Sequence, residues 1–205
     1  MKVTLVDYGA GNVPSVERAL QRLSADSLRA NTPECISNAE ALLLPGVGHF
    51  AALIRALDER GLRSALLDSL GRGVPFLGVC LGLQALYESS DEAPDLSGLG
   101  ILPGRVRALP ETCKLPHMGW NQLRANRDSR LLEGVHAGAY FYFAHSFAAL
   151  PAGEKSAAEV SATCTHGAEF VAVIEKENIH AVQFHPEKSG AAGARVLANF
   201  LRLAA

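Results

Sequence analysis

The residue best suited to act as a nucleophile is Cys80, which lies in Pro75–Gln84 (PFLGVCLGLQ). The apolar residues before it predict a buried strand, and those after it predict a helix. A Gly-x-Cys-x-Gly turn between the two is the thiol form of a nucleophile elbow, where residues larger than glycine would collide. The elbow lifts the sulfur above the sheet at a helix N-terminus, which favours the thiolate. The alternative is a buried core cysteine between two packing glycines.

A thiolate that transfers acyl groups needs a base held in a fixed orientation. The best candidate is His185 in Gln183–Glu187 (QFHPE), directly after the apolar strand predicted at Ile179–Phe184. In an extended segment, residues i and i+2 project to the same side, so Glu187 can hold His185 in one tautomer. The carboxyl ends of strands in open α/β sheets are also where sites gather.

A glycine-rich segment, Pro45–Phe50 (PGVGHF), also follows a predicted buried strand and opens a helix. Its spacing partly matches a dinucleotide-binding fingerprint, but that motif belongs on the first strand–helix turn, where Gly9–Pro14 is an equally imperfect match. Gly46 and Gly48 can instead leave backbone N–H groups free to face a developing oxyanion.

The elements that must position these residues alternate in the first half of the chain. Strands are predicted at Val3–Asp7, Ala41–Leu44 and Val74–Val79, and helices at Pro14–Leu23 and from Phe50 to Gly71. Asn12 is the expected cap of the first helix. This alternation implies parallel strands joined by right-handed crossovers.

The second half is mostly strands, and we expect it to extend the same sheet. The predicted strands are Ile101–Ala108, Gly138–Phe147, Ala158–Thr165, Phe170–Lys176 and Ile179–Phe184, with a turn at Pro151–Gly153 and a final helix at Ala191–Leu203. The fold class is therefore α/β. We expect one domain over residues 1–205, with a mixed, mostly parallel sheet, helices on both faces and extra antiparallel strands from the second half.

Composition excludes several classes of protein. The 205 residues are 48% hydrophobic and carry a formal charge of −2, which argues against a disordered chain and against electrostatic binding of nucleic acid or a membrane. No signal peptide or membrane span is evident, so a cytoplasmic location is expected. The four cysteines form no Cys-x-x-Cys pair, and Cys164 with His166 indicates a turn rather than a metal site.

Together these motifs resemble those of the class I (triad) glutamine amidotransferases, whose fold is flavodoxin-like. The shared pattern is a glycine-rich oxyanion strand, a Gly-x-Cys-x-Gly-x-Gln elbow and a later His-x-Glu. Five strings are similar to those of one branch, the glutaminase subunits of imidazole glycerol phosphate synthases: DYGAGN at 7–12, PGVG at 45–48, PHMGWN at 116–121, YFAHSF at 142–147 and HPEKS at 185–189. The sequence departs from that pattern at Phe147, where tyrosine is usual, and at His49, where a small residue is common.

The resemblance implies a Cys80, His185 and Glu187 triad that hydrolyses the side-chain amide of L-glutamine through a thioester. It implies oxyanion donors at Leu81 and, after a local rearrangement, at Val47. The residues implied to bind glutamine are Gly46, Gly48, Gln84, His145, Ser146 and Phe147. No cofactor or metal is implied.

The resemblance also implies a partner, because free ammonia protonates in water and loses its nucleophilicity. That partner is a (β/α)8-barrel cyclase subunit, bound as a heterodimer, which makes imidazole glycerol phosphate and aminoimidazole carboxamide ribonucleotide in histidine biosynthesis. Asn12, Met118, Trp120 and Lys188 match positions that face it. Without the resemblance, the sequence predicts that Trp120 is a core residue and that Lys188 is a solvated surface charge.

Three other functions compete with this one. The glutaminase of pyridoxal phosphate synthase carries Pro-Gly-Gly-Glu-Ser where this chain has Pro45–Gly48, which argues against it. A cysteine hydrolase or peptidase would have no use for Gln84 or for the string at 116–121. A non-catalytic binding module would not need Cys80, His185 and Glu187 together.

Overall fold

A computed structural model of the chain describes residues 2–151 and 159–205. Its strands are β1 (Lys2–Val6), β2 (Asp26–Ala30), β3 (Ala41–Gly46), β4 (Phe76–Cys80), β5 (Tyr87–Ser90), β6 (Leu102–Ala108), β7 (His117–Gln122), β8 (Arg124–Ala125), β9 (Tyr140–His145), β10 (Phe147–Ala149), β11 (Val160–His166), β12 (Ala168–Lys176) and β13 (Ile179–Val182). Its helices are α1 (Val13–Arg22), α2 (Pro33–Ser37), α3 (Phe50–Glu59), α4 (Leu62–Gly71), α5 (Leu81–Gln84) and α6 (Gly190–Leu203), with a 3-10 turn at Pro186–Lys188.

A large mixed sheet carries the strands that lead to the predicted site. Its order is β2-β1-β3-β4-β13-β12-β11-β8. The first five strands in this order, β2, β1, β3, β4 and β13, pair with one another in parallel. The pairs of β13 with β12, β12 with β11 and β11 with β8 are antiparallel. The predicted fold class is therefore confirmed. Because β13 pairs with β4, the segment after β13 and the cysteine that ends β4 meet at the same edge of the sheet.

Helices cover both faces of this sheet. Leu42 of β3 packs in one core with Phe50 of α3, whereas its neighbour Leu43 packs in a second core with Phe200 of α6. Every residue of β3 and β4 is buried, as expected for parallel strands covered on both sides. In the parts of the chain at 2–151 and 159–205, no helix is long and apolar enough to cross a membrane.

The second half also forms two smaller sheets that the sequence did not predict as separate units. One is three-stranded, with the order β10-β6-β5, and the other is an antiparallel ribbon of β7 and β9. The single strand predicted at Gly138–Phe147 is therefore wrong. β9 ends at His145, and Phe147 instead pairs with Ala108 of β6. The segment His145–Phe147 thus crosses from the ribbon to the three-stranded sheet.

Two further expectations in the first half need correction. The helix predicted from Phe50 to Gly71 is two helices, since Gly61 has a φ of 65° and separates α3 from α4. Asn12 does not cap α1 with its side chain, because its own backbone is left-handed. That side chain instead reaches Glu187, where Nδ2 lies 3.5 Å from Oε1.

The strand predicted at Ala158–Thr165 corresponds to β11, which begins at Val160. Ala158, and the residues at 152 and 153 of the predicted turn, lie outside the described part of the chain.

Candidate active site

Cys80 ends β4 in a backbone conformation that residues other than glycine rarely adopt. Its φ is 54° and its ψ is −106°. A Cβ atom on Gly82 would lie 2.2 Å from the carbonyl oxygen of Leu44, and one on Gly78 would lie 2.8 Å from the carbonyl oxygen of Gly82. Both glycines are therefore required by backbone contacts, as the elbow interpretation predicts. Helix α5, which begins directly after Cys80, has only four residues, so its dipole is weaker than that of a longer helix.

His185 follows β13, and the structure brings it beside Cys80. Its Nδ1 lies 2.9 Å from Oε1 of Glu187, and both side chains are 2% exposed. The backbone N–H of His185 donates to the carbonyl of Tyr142 (2.8 Å), which fixes the chain at this point. The expected contact is present, but its expected cause is wrong. Glu187 lies in the 3-10 turn at Pro186–Lys188, not in an extended segment.

Charge around His185 favours the imidazolium form. Burial alone would lower the pKa of His185, but the Cys80 sulfur and the Glu187 carboxylate outweigh it and raise that pKa to about 10. At neutral pH the ring is therefore protonated and paired with the sulfur. The imidazolium stabilises the folded chain below the ordinary histidine pKa, and this contribution is lost as pH rises through about 10.

A cavity of about 150 Å³ opens above Cys80 and His185. Five of the six residues predicted to bind glutamine line it: Gly48, Gln84, His145, Ser146 and Phe147. The sixth, Gly46, lies outside it. Gly46 pairs with Cys80 across β3 and β4, and a Cβ on it would lie 2.5 Å from Cβ of Leu81. Gly46 therefore allows β3 to approach the elbow closely.

Both predicted oxyanion donors lie at the cavity, because Val47 and Leu81 line it. Burial raises the pKa of the Tyr8 hydroxyl to about 12, and the Val47 backbone acts in the opposite direction. The Tyr8 hydroxyl has no hydrogen-bond partner among the described residues.

Sequence reasoning missed two polar residues of the site. Glu92 lines the cavity, and its Oε2 accepts a hydrogen bond from the N–H of Phe50 (2.7 Å). Gln183 is fully buried, and its Nε2 donates to the Cys80 sulfur at 3.5 Å. Gln183 stands two residues before the predicted base, which was a usable signal. Glu92 lies in an irregular acidic stretch with no motif to mark it.

The residues predicted to face a partner lie mostly outside the cavity. Met118 and Trp120 project from the ribbon and are 66% and 55% exposed. Lys188 lines the cavity, and its ammonium group stands 5.5 Å from the centre of the Tyr142 ring. Asn12 lies behind the triad, against Glu187. The core alternative for Trp120 is wrong, because its side chain is solvent-exposed.

Similarity to known proteins extends over nearly the whole chain. The family model for class-I glutamine amidotransferases matches residues 4–204. The HisH subunit of imidazole glycerol phosphate synthase from Methanothermobacter thermautotrophicus is 47% identical, over 98% of this chain and 98% of its own. Imidazole glycerol phosphate synthase hisHF, a chloroplastic protein of Arabidopsis thaliana, is 44% identical, over 97% of this chain and 34% of its own.

The fold is also similar to a solved structure. The crystal structure of a glutamine amidotransferase superposes with a TM-score of 0.77 and covers 98% of each chain, at 21% sequence identity.

Proposed function

Because this chain belongs to the class-I glutamine amidotransferases, we propose that it is the glutaminase subunit of an imidazole glycerol phosphate synthase. The observation that carries the proposal is the buried triad of Cys80, His185 and Glu187 at one cavity. The relatives named as imidazole glycerol phosphate synthases, at 44% and 47% identity, support the choice of this synthase within the family.

The first half of the proposed reaction forms a thioester. The Cys80 sulfur attacks the side-chain amide carbon of glutamine, and the carbonyl oxygen becomes an oxyanion. An N–H donor at such an oxygen contributes about 3–4 kcal/mol, which is the role of the Leu81 N–H and, after rearrangement, of the Val47 N–H. His185 gives its proton to the nitrogen as the C–N bond breaks, so ammonia leaves and a glutamyl thioester remains.

The second half hydrolyses that thioester. His185, now neutral, takes a proton from water, and the hydroxide formed attacks the thioester carbon. The C–S bond breaks, glutamate is released, and the Cys80 thiolate again faces the His185 imidazolium. Glu187 stabilises the imidazolium and holds Nδ1 in place throughout.

The cavity offers charge that suits an amino acid substrate. Glu92 supplies a carboxylate at its wall, which complements the α-ammonium group of glutamine. The His145–Phe147 segment and Gly48 supply backbone groups, so the loss of a tyrosine hydroxyl at Phe147 leaves the backbone contacts in place.

The proposed partner is the (β/α)8-barrel cyclase subunit, which takes ammonia directly because ammonia protonates in bulk water. Exposed Met118 and Trp120 on one ribbon give an apolar surface for such a subunit. Tyr140, which was not predicted, is 55% exposed on the paired strand and extends it. Two relatives support a partner: the Methanothermobacter thermautotrophicus protein is named as a subunit, and this chain covers only 34% of the Arabidopsis thaliana protein.

A glutamine analogue that alkylates thiols tests the proposed activity. We expect stoichiometric labelling of Cys80, blocked by excess L-glutamine, with matching loss of glutamate production. Cys164 is the internal control, because burial raises the pKa of its thiol to about 12 and keeps it unreactive. Mass spectrometry of peptides locates the label. Labelling elsewhere, or none, with no glutamate formed, contradicts the proposal.

Glu187→Gln lowers the pKa of His185, because a neutral amide replaces the carboxylate that helps to raise it. The His185 imidazolium has a pKa raised to about 10, so we expect the alkaline limb of kcat/KM for glutamine to move to lower pH in this variant. At neutral pH, kcat falls about 10²-fold. A pH series of initial rates measures both. An unmoved alkaline limb would show that Glu187 does not act on the imidazolium.

A further inference from the structure

The ribbon of β7 and β9 has two faces with different chemistry. Met118 and Trp120 alternate with His117 and Asn121 along β7, so the two pairs point to opposite sides. Met118 and Trp120 are exposed, whereas His117 is buried and lies directly across from His145 of β9. The inner face therefore carries polar side chains next to the segment that forms one wall of the cavity.

Hydrogen bonds on this inner face form one continuous chain. Oδ1 of Asn121 accepts from the backbone N–H of Gln122 (2.8 Å), and Nδ2 lies 3.4 Å from Nε2 of His117. Nδ1 of His117 lies 3.1 Å from Nε2 of His145. Nδ1 of His145 then lies 2.9 Å from the carbonyl oxygen of Phe147.

The backbone groups at the two ends of this series decide which atom donates in each hydrogen bond. The Gln122 N–H can only donate, so Asn121 must present Nδ2 to the other side, where it also donates to the carbonyl of Thr165 (3.0 Å). His117 therefore accepts at Nε2 and donates from Nδ1. His145 accepts at Nε2 and donates from Nδ1, which is what the Phe147 carbonyl requires. The two ends agree on one tautomer for both rings.

The rings of His117 and His145 are both held neutral, as this series of hydrogen bonds requires. Burial lowers the pKa of His117 to about 4, and the nearby His166 acts in the same direction. Burial lowers the pKa of His145 to about 3, assisted by His117, His166 and His185 and opposed by its bond to Phe147. Each ring then has one donor and one acceptor nitrogen.

The carbonyl at the end of this series of hydrogen bonds belongs to a residue that lines the cavity. Phe147 and Ser146 line the cavity where the strand leaves the ribbon. The Phe147 carbonyl also accepts from Nε2 of Gln84 (2.7 Å), which itself lines the cavity. We propose that Asn121 and His117 are positioning residues for glutamine binding, which fix the Phe147 carbonyl through His145 by setting which ring nitrogens carry protons. This inference rests on the proposed glutaminase function.

Asn121→Asp tests the inference because it keeps the size of the side chain and removes the donor. A carboxylate would pull the His117 proton to Nε2, so His145 would have to donate from Nε2 and turn a lone pair towards the Phe147 carbonyl. The hydrogen bonds from Asn121 to Phe147 position bound glutamine in the ground state and the transition state alike. Losing them therefore raises KM and leaves kcat nearly unchanged. We expect KM for glutamine to rise about tenfold, the equivalent of about 1.4 kcal/mol.

Gln122→Glu is the matched control, since it makes the same amide-to-carboxylate change on the adjacent residue, whose side chain bonds to Gly138 instead. Its KM should stay within about twofold of the unaltered chain. All three proteins are assayed as complexes with the cyclase subunit. A similar rise in KM in both variants, an unchanged KM in Asn121→Asp, or a fall in kcat alone would overturn the inference.

A second measurement does not depend on any variant folding. In the unaltered chain, ¹⁵N NMR of labelled histidines should show both His117 and His145 protonated at Nδ1 and unprotonated at Nε2. A proton on Nε2 of either ring would overturn the inference. If the unaltered complex hydrolysed no glutamine, the proposed function would fail with it. Hydrolysis with unchanged KM in Asn121→Asp would remove only the positioning role.

Discussion

Cys80→Ala abolishes glutamine hydrolysis, and in the complex with the cyclase subunit it leaves synthesis from added ammonium salts intact. The sulfur is the atom that bonds to substrate carbon, so no neighbouring group replaces it. We expect kcat for glutamine to fall on the order of 10⁴-fold or more. Ammonia reaches the cyclase without the thioester step, so that activity should stay within about twofold. Glutamate release and product formation from ammonium chloride measure the two halves separately.

Cys164→Ala is the matched control for this variant. Cys164 is also buried, at 2% exposed against 4% for Cys80, but it lies in β11 away from the cavity. Glutamine hydrolysis should survive its replacement, at a modest cost in thermal stability from lost packing. Residual glutaminase turnover in Cys80→Ala near the level of Cys164→Ala would show that the nucleophile is assigned wrongly.

The isolated chain should hydrolyse glutamine slowly, and the cyclase subunit with its ribonucleotide bound should accelerate it by about 10²–10³-fold. That factor is the usual effect of one oxyanion donor. The resemblance gives the reason, because it implies that the Val47 N–H becomes an oxyanion donor only after a local rearrangement. A partner that favours the turned peptide supplies the missing donor. Initial rates of glutamate release, with and without the cyclase, measure the change.

Trp120→Ala separates activation from other effects of the added protein. Loss of this exposed ring should weaken cyclase binding and shift activation to higher cyclase concentrations. Leu28→Ala is the matched control, since Leu28 is also exposed, at 41%, but lies on β2 at the far edge of the sheet. Full activity of the isolated chain, equal to that of the complex, would contradict this prediction.

Local features of the site could be read from the sequence because their causes are local. The elbow depends on glycines within two residues of Cys80, and their steric requirement is visible as Gly78 and Gly82. The buried strands β3 and β4 are continuous apolar runs, so their type and approximate bounds follow from composition. The alternation of strands and helices in the first half then fixes parallel pairing.

Features that depend on contacts between distant segments could not be read in this way. The sequence suggested that His185 joins Cys80, but the pairing of β13 with β4 is what brings them together. The break between β9 and β10 at Ser146 follows from the pairing of Phe147 with Ala108 in another sheet, and no local turn residue indicates it. Asn12 was expected to cap a helix, yet its side chain reaches Glu187 across the fold.

The sequence by itself determined which residue types are present for the chemistry: a thiol on a sharp turn, an imidazole and a carboxylate two residues apart. Only the tertiary structure decided their protonation and orientation. The proton on His185 depends on a sulfur brought in from another strand, and the Phe147 carbonyl is held by hydrogen bonds from His145 and Gln84. Charge and hydrogen-bond direction act through space, so residues far apart in the chain set them together.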